Sequence, residues 1–124
     1  MKASISLTTV LVIGSMLLLS SIVLIVSSLD LLESTTAYSN FKIARINSNT
    51  CLEEALFKIK ANHTYTGSNQ ISVNNGLCNY TVTNQNGDTT KKIISISGSL
   101  NKTNYTSTKF ADTTQLPISL ITLD

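Results

Sequence analysis

At 124 residues the chain has room for one small domain and an N-terminal extension, since a single core organises roughly 100–150 residues. Only 13% of its residues are charged and the formal net charge is +2, which excludes the basic stripe that holds a nucleic-acid backbone. Lys91-Lys92, the only basic pair, reads as a solvated strand end.

The chain opens on "KASISLTTVLVIGSMLLLSSIVLIVSS". From Val10 to Val26 there is no charge, and Leu7 to Leu29 is interrupted only by Ser, Thr and Gly, about the 20 residues a helix needs to cross a bilayer. A cleavable secretory signal has a shorter apolar region, roughly 7–15 residues. "STTA" at Ser34–Ala37 suits a signal peptidase, but Asp30 and Glu33 separate it from the apolar run. Lys2 precedes the span and the two acids follow it, which places the N-terminus in the cytoplasm and the rest outside.

Helical character continues beyond the apolar zone. No Gly or Pro occurs from Leu29 to Lys60, and Phe41, Ala44, Ser48, Leu52, Ala55, Leu56 and Ile59 recur at three- and four-residue steps, an amphipathic helix. Helix is expected from about Ile5 to Asn62: a spanning part, 5–29, and an amphipathic continuation, 30–62. "NSNT" at Asn47–Thr50 is poor in helix formers, and Thr50 with Glu53 makes a capping box. Two courses are open there, a continuous helix, which is preferred, or a bend that restarts at Cys51.

After "ANHTYTGSNQ" the period changes to two. Alternating Ile71/Val73, Leu77, Tyr80/Val82 and Ile94/Ile96, punctuated by Asn75-Gly76 and Asn86-Gly87-Asp88, predict strands near Gln70–Val73, Leu77–Asn84 and Thr89–Ser97 joined by tight hairpins. Further strands are expected near Asn104–Phe110 and Pro117–Leu123. The fold class is α+β: a long N-terminal helix, membrane-spanning below and amphipathic above, packed on a small antiparallel head at 63–124. Such a head is small for an unaided core. Outside the membrane the compartment is oxidising, so a Cys51–Cys78 disulfide between helix and sheet is expected, two buried thiols being the alternative.

No catalytic constellation is visible. His63 is the sole histidine, in a polar helix end; Glu53 and Glu54 are adjacent, pointing about 100° apart, and read as charges near a helix N-terminus. The chain is read as a non-enzyme without cofactor or metal. Four Asn-x-Thr sequons, at Asn62, Asn79, Asn101 and Asn104, are what a chain this rich in Asn and Thr gives by chance.

The beginning can be written "KAS|ISLTT", with Ser4 closing a short leader, 1–4, and Ile5 opening the mature helix; a cut between Ala3 and Ser4 is the other register. With the apolar helix, amphipathic stalk and cysteine-tied sheet, this resembles type IV pilins and pseudopilins. The resemblance implies removal of the leader by a prepilin peptidase, N-methylation, handling by an assembly platform, and packing against other pilin subunits. The filament core would then be lined by Leu7, Thr9, Leu11, Gly14, Leu18 and Ile22. It implies a subunit held in the cytoplasmic membrane by one span, head outside, and later a cell-surface filament. Ser4 stands where the family usually has Gly, and Thr9 where major pilins carry a glutamate, so the likeness is closer to a minor pilin. Gly14, Ser15, Ser20 and Ser21 suit the same segment to lipid and to close helix packing. The competing reading is a permanently anchored single-span protein with an extracellular β binding domain.

Overall fold

The structure, a computed structural model, describes residues 2–115 and 119–121. The chain divides into two compact units, Met1–Ala37 and Tyr38–Asp124, and one helix, α1 (Lys2–Ala61), supplies the first and opens the second. The helix begins three residues earlier than expected and runs unbroken through Asn47–Thr50. The restart at Cys51 is therefore absent: Thr50 does not cap, its hydroxyl donating instead to the carbonyl of Ile46 at 3.2 Å. Glu53 and Glu54 accordingly lie at no helix start, and Glu54 meets Lys58 one turn on at 3.9 Å. The true end is marked at Asn62, whose Oδ1 accepts from the Thr64 amide and hydroxyl, the kind of local side-chain turn that competes with helix.

Five strands follow: β1 (Gly67–Val73), β2 (Gly76–Gln85), β3 (Asp88–Leu100), β4 (Thr103–Asp112) and β5 (Ser119–Ile121). They form one antiparallel meander in the order β1-β2-β3-β4-β5. Each expected strand exists, and most are longer than the alternating apolar residues alone suggested. Of the strand expected at Pro117–Leu123, only Ser119–Ile121 lies among the described residues.

The first hairpin corrects the sequence reading. Its positive-φ residues are Asn74 and Asn75, at 49° and 60°, so the turn centre is Asn-Asn and Gly76 already belongs to β2. In the second hairpin Asn86 and Gly87 take φ of 50° and 79°, as Asn-Gly predicted.

Register follows from the turns. Cys78 faces Gly98 and Gly98 faces Tyr105; one row on, Tyr80 faces Ile96; then Val82 faces Ile94, and Asn84 faces Lys92. Alternate residues Cys78, Tyr80, Val82, Ile94 and Ile96 are buried, and they pack on the helix residues Cys51, Ala55 and Ile59, with Leu52 and Leu56 at the margin; Ala44 and Leu100 are buried outside this cluster. Leu77 therefore points away from the core and is 45% exposed, while Phe41, expected on the buried stripe, is 42% exposed and meets Tyr105 edge-on at 5.7 Å.

Candidate functional site: an uncovered apolar helix

From Ile5 to Leu32 every Leu, Ile, Val and Met side chain is more than half exposed. The most apolar 18-residue window has a mean hydropathy of 2.7 and none of it is buried. Soluble monomers rarely show contiguous apolar patches above a few hundred Å², so a surface of this kind marks lipid or partner contact. By length and composition the helix can span a membrane.

The hydroxyls in this stretch do not spoil that surface. Thr9 donates to the carbonyl of Ile5 at 2.7 Å, Ser15 to Val12 at 2.8 Å, Ser21 to Leu17 at 2.8 Å, and Ser28 to Leu24 at 2.7 Å. These hydroxyls, with those of Thr8, Ser20 and Ser27, are satisfied within their own helix, the condition a bilayer imposes. Thr9 consequently offers neighbours a methyl group and a hydroxyl already in use, and no charge. Leu7, Leu11, Leu18 and Ile22 stand 64%, 65%, 68% and 56% exposed along the same helix. A Cβ on Gly14 would meet nothing within 4 Å, and Gly14 with Ser15 floors a shallow depression bordered by Val10, Leu11, Leu17 and Leu18. Ser4 and Ile5 both lie in the exposed first turns of the helix.

The unit Tyr38–Asp124 has a different chemistry. The Cys51–Cys78 disulfide joins α1 to β2 with Cα atoms 6.0 Å apart, wholly buried. Next to it, helix and sheet come unusually close. A Cβ on Gly98 would lie 2.1 Å from the Ala44 carbonyl oxygen and 2.6 Å from the Ser48 nitrogen; one on Gly76 would lie 2.6 Å from the helix residue Asn47 at Nδ2 and, within the sheet, 2.0 Å from the Ser99 carbonyl oxygen. Asn47, buried at this contact, donates from Nδ2 to the Ser99 carbonyl at 3.3 Å and accepts from Asn74 Nδ2 at 3.1 Å. The polar Asn47-Ser48 pair that looked like a helix weakness is the contact surface for β3 and the first hairpin. The only sequence signal was the pairing of small or amide residues on the helix with glycines in the strands.

Comparison with known proteins returns no family model, no curated protein and no solved structure that matches this chain.

Titratable groups in this unit are few and scattered. Lys92 is not the solvated strand end that sequence suggested: it is 0% exposed, desolvation lowers its pKa, and Nζ donates to Asn84 Oδ1 across the β2–β3 pair. Asp88 and Asp112 are held below the ordinary carboxylate value, each chiefly by the hydroxyl and then the amide of a threonine two residues on, Thr90 and Thr114. The neighbouring Tyr80 phenol, then burial, raise the pKa of Tyr65, whereas the buried Tyr80 hydroxyl makes no hydrogen bond of good geometry. His63 is exposed, and the described residues contain no cluster of three or more His, Cys, Asp or Glu. On the outer sheet face the neutral residues Asn79, Thr81, Thr83, Ser95, Thr106 and Thr108 are exposed on adjoining strands, and the cross-strand pair Lys91 and Asp112 carries charge at one end.

Proposed function

We propose that this chain is a structural subunit, of minor type, of a type IV pilus-like or type II secretion-like filament. It is inserted in the cytoplasmic membrane by its N-terminal helix, with the head outside, and then assembled through that helix with other pilin-type subunits. The observation that carries the reading is the helix Lys2–Ala61: one element that is apolar and uncovered from Ile5 to Leu32 and cross-linked into a small β head at Cys51. A helix uncovered on every side, with the hydroxyls from Thr8 to Ser28 closed on its own backbone, suits lipid first and like helices afterwards. The disulfide supports an oxidising compartment for the head. Lys2 before the span, with Asp30 and Glu33 after it, supports the same orientation.

Processing is the test. N-terminal mass spectrometry is done on the protein from sheared surface material and from membranes of the same cells. A methylated chain beginning at Ile5 or Ser4 in the sheared fraction is expected. An intact Met1 confined to membranes would refute the filament reading in favour of a permanently anchored binding domain.

A further inference from the structure

The chain contains two Asn-Gly steps, Asn75-Gly76 and Asn86-Gly87, and each lies at a two-residue hairpin turn. In such a step a main-chain nitrogen readily reaches the preceding carboxamide, because glycine has no side chain to shield that nitrogen or to restrict its φ. The two turns use the step differently. In the first, Asn74 and Asn75 are the central residues and Gly76 is the closing one, paired with Val73 at the start of β2. The bond that closes a turn runs from the fourth residue's amide to the first residue's carbonyl, so here it takes the Gly76 nitrogen. Gly76 is also buried, with Asn47 Nδ2 and the Ser99 carbonyl oxygen 2.6 and 2.0 Å from where a Cβ would stand. Asn74, the residue before, has its carboxamide held by Asn47 at 3.1 Å. In the second turn Asn86 and Gly87 are themselves the central residues, between the paired Gln85 and Asp88. Closure takes the Asp88 amide there and leaves the Gly87 nitrogen outside the ladder. Asn86 and Gly87 are both exposed, and nothing lies within 4 Å of a Cβ on Gly87.

We propose that Asn86 is a site of spontaneous deamidation through a cyclic imide, and that the fold keeps Asn75 from the same reaction. The Gly87 nitrogen gives up its proton and bonds to Asn86 Cγ, the Cγ–Nδ2 bond breaks, and Nδ2 leaves as ammonia with that proton. Water then opens the ring at either carbonyl, giving aspartate or isoaspartate at position 86. Water is the only co-reactant, and nothing is oxidised or reduced. The reaction stands apart from the filament reading, since it requires neither a membrane nor a partner. Its product sets a second carboxylate two residues from Asp88, and the isoaspartyl form puts one more main-chain carbon into a two-residue turn. The β2–β3 tip therefore becomes more acidic, and its turn longer, as the molecule ages.

The test holds the full chain in detergent in mildly alkaline buffer, beside a second sample unfolded in urea with reductant. Portions taken over time are reduced, cut with trypsin and read by tandem mass spectrometry. Lys60 and Lys91 bound one tryptic peptide, 61–91, that carries both steps, so the two rates are compared within the same molecule. In the folded chain Asn86 should be lost at least about tenfold faster than Asn75, as a mixture of aspartate and isoaspartate, and in urea the two should react within about twofold of each other. Gly87→Ala, which sets a Cβ beside the attacking nitrogen, should slow the loss at Asn86 in both samples. Comparable rates at the two asparagines in the folded chain would overturn the proposal, as would an intact Asn86 in detergent beside loss of both in urea. A Gly87→Ala chain that loses Asn86 as fast as the parent would overturn it as well, since the Gly87 nitrogen would then not be the attacking group.

Discussion

Replacing Gly98 by Ala adds one methyl group where there is no space for it. The new Cβ would stand 2.1 Å from the Ala44 carbonyl oxygen, where about 3.4 Å is ordinary contact, and 2.6 Å from the Ser48 nitrogen. Both obstacles are main-chain atoms of a helix, so no side chain can rotate away, and helix and strand must part by about 1.3 Å. A radial gap of 0.5–1 Å already forfeits a quarter to a half of each dispersion contact. The contacts at risk include Cys51, Ala55 and Ile59 against β2 and β3, and the disulfide one turn above Asn47 resists the separation. Overpacking of this kind costs typically 1–3 kcal/mol, and because the clash is between main chains we expect about 3 kcal/mol. For a unit of this size that is a fall of about 12–24 °C in Tm, read by near-UV circular dichroism of the full chain in detergent. Gly87→Ala is the control: its φ of 79° strains an alanine, but nothing lies within 4 Å, so about 1 kcal/mol and 4–8 °C are expected. A Gly98→Ala protein melting within about 4 °C of the parent would refute the close helix–strand contact.

Four further outcomes follow from the same contacts. Cys51→Ser removes a cross-link spanning 27 residues and should lower the head's stability by about 3.5 kcal/mol in the chain-entropy picture, with membrane insertion unchanged; equal urea midpoints for mutant and parent without reductant would contradict this. Asn47→Ala leaves the Ser99 carbonyl and the Asn74 amide without their partner and should cost about 2–3 kcal/mol in the same titration. Lys92→Met removes a desolvated amine whose folded pKa lies below its ordinary 10.5, a group that weakens folding at neutral pH, so the variant should melt higher than the parent at pH 7, by about 1 kcal/mol. Asp88 and Asp112 have folded pKa values below the ordinary 3.8, so the stability they add is present above that pH and lost as pH falls through the lowered values; Asp88→Asn/Asp112→Asn should flatten the acid limb of a Tm–pH profile below about pH 4.

The long helix and the meander were legible because each carries its own period. An uncharged run to Val26 and three- and four-residue steps to Ile59 specify helix without knowledge of the sheet, and Asn86-Gly87 specifies a hairpin from two residues. The disulfide was legible from number and from the expectation of an outside head, there being two cysteines and one small β unit. Features that need two elements at once were less visible. Lys92 looks solvated in sequence because nothing local says that its strand position, with Ile94 and Ile96, turns it to the covered face opposite Asn84.

The stretch Asn47–Thr50 shows why the gap has a physical origin. Local propensity asks whether a residue favours helix by itself, and Asn, Ser, Asn and Thr do not. Packing asks whether the helix can approach the sheet at that point, and here it can only where side chains are short and the strand offers Gly98. Asn47 then recovers its desolvation cost through two amide hydrogen bonds across the contact, to Ser99 and from Asn74. The second Asn of that exchange sits at a positive-φ turn position, so one turn choice serves both the hairpin and the latch onto the helix. A weak helical sequence and a displaced turn centre, each a small misreading in isolation, are two halves of one tertiary contact. Changing Asn74 should therefore disturb α1 packing as well as the hairpin, and that coupling separates a latch from two unrelated local preferences.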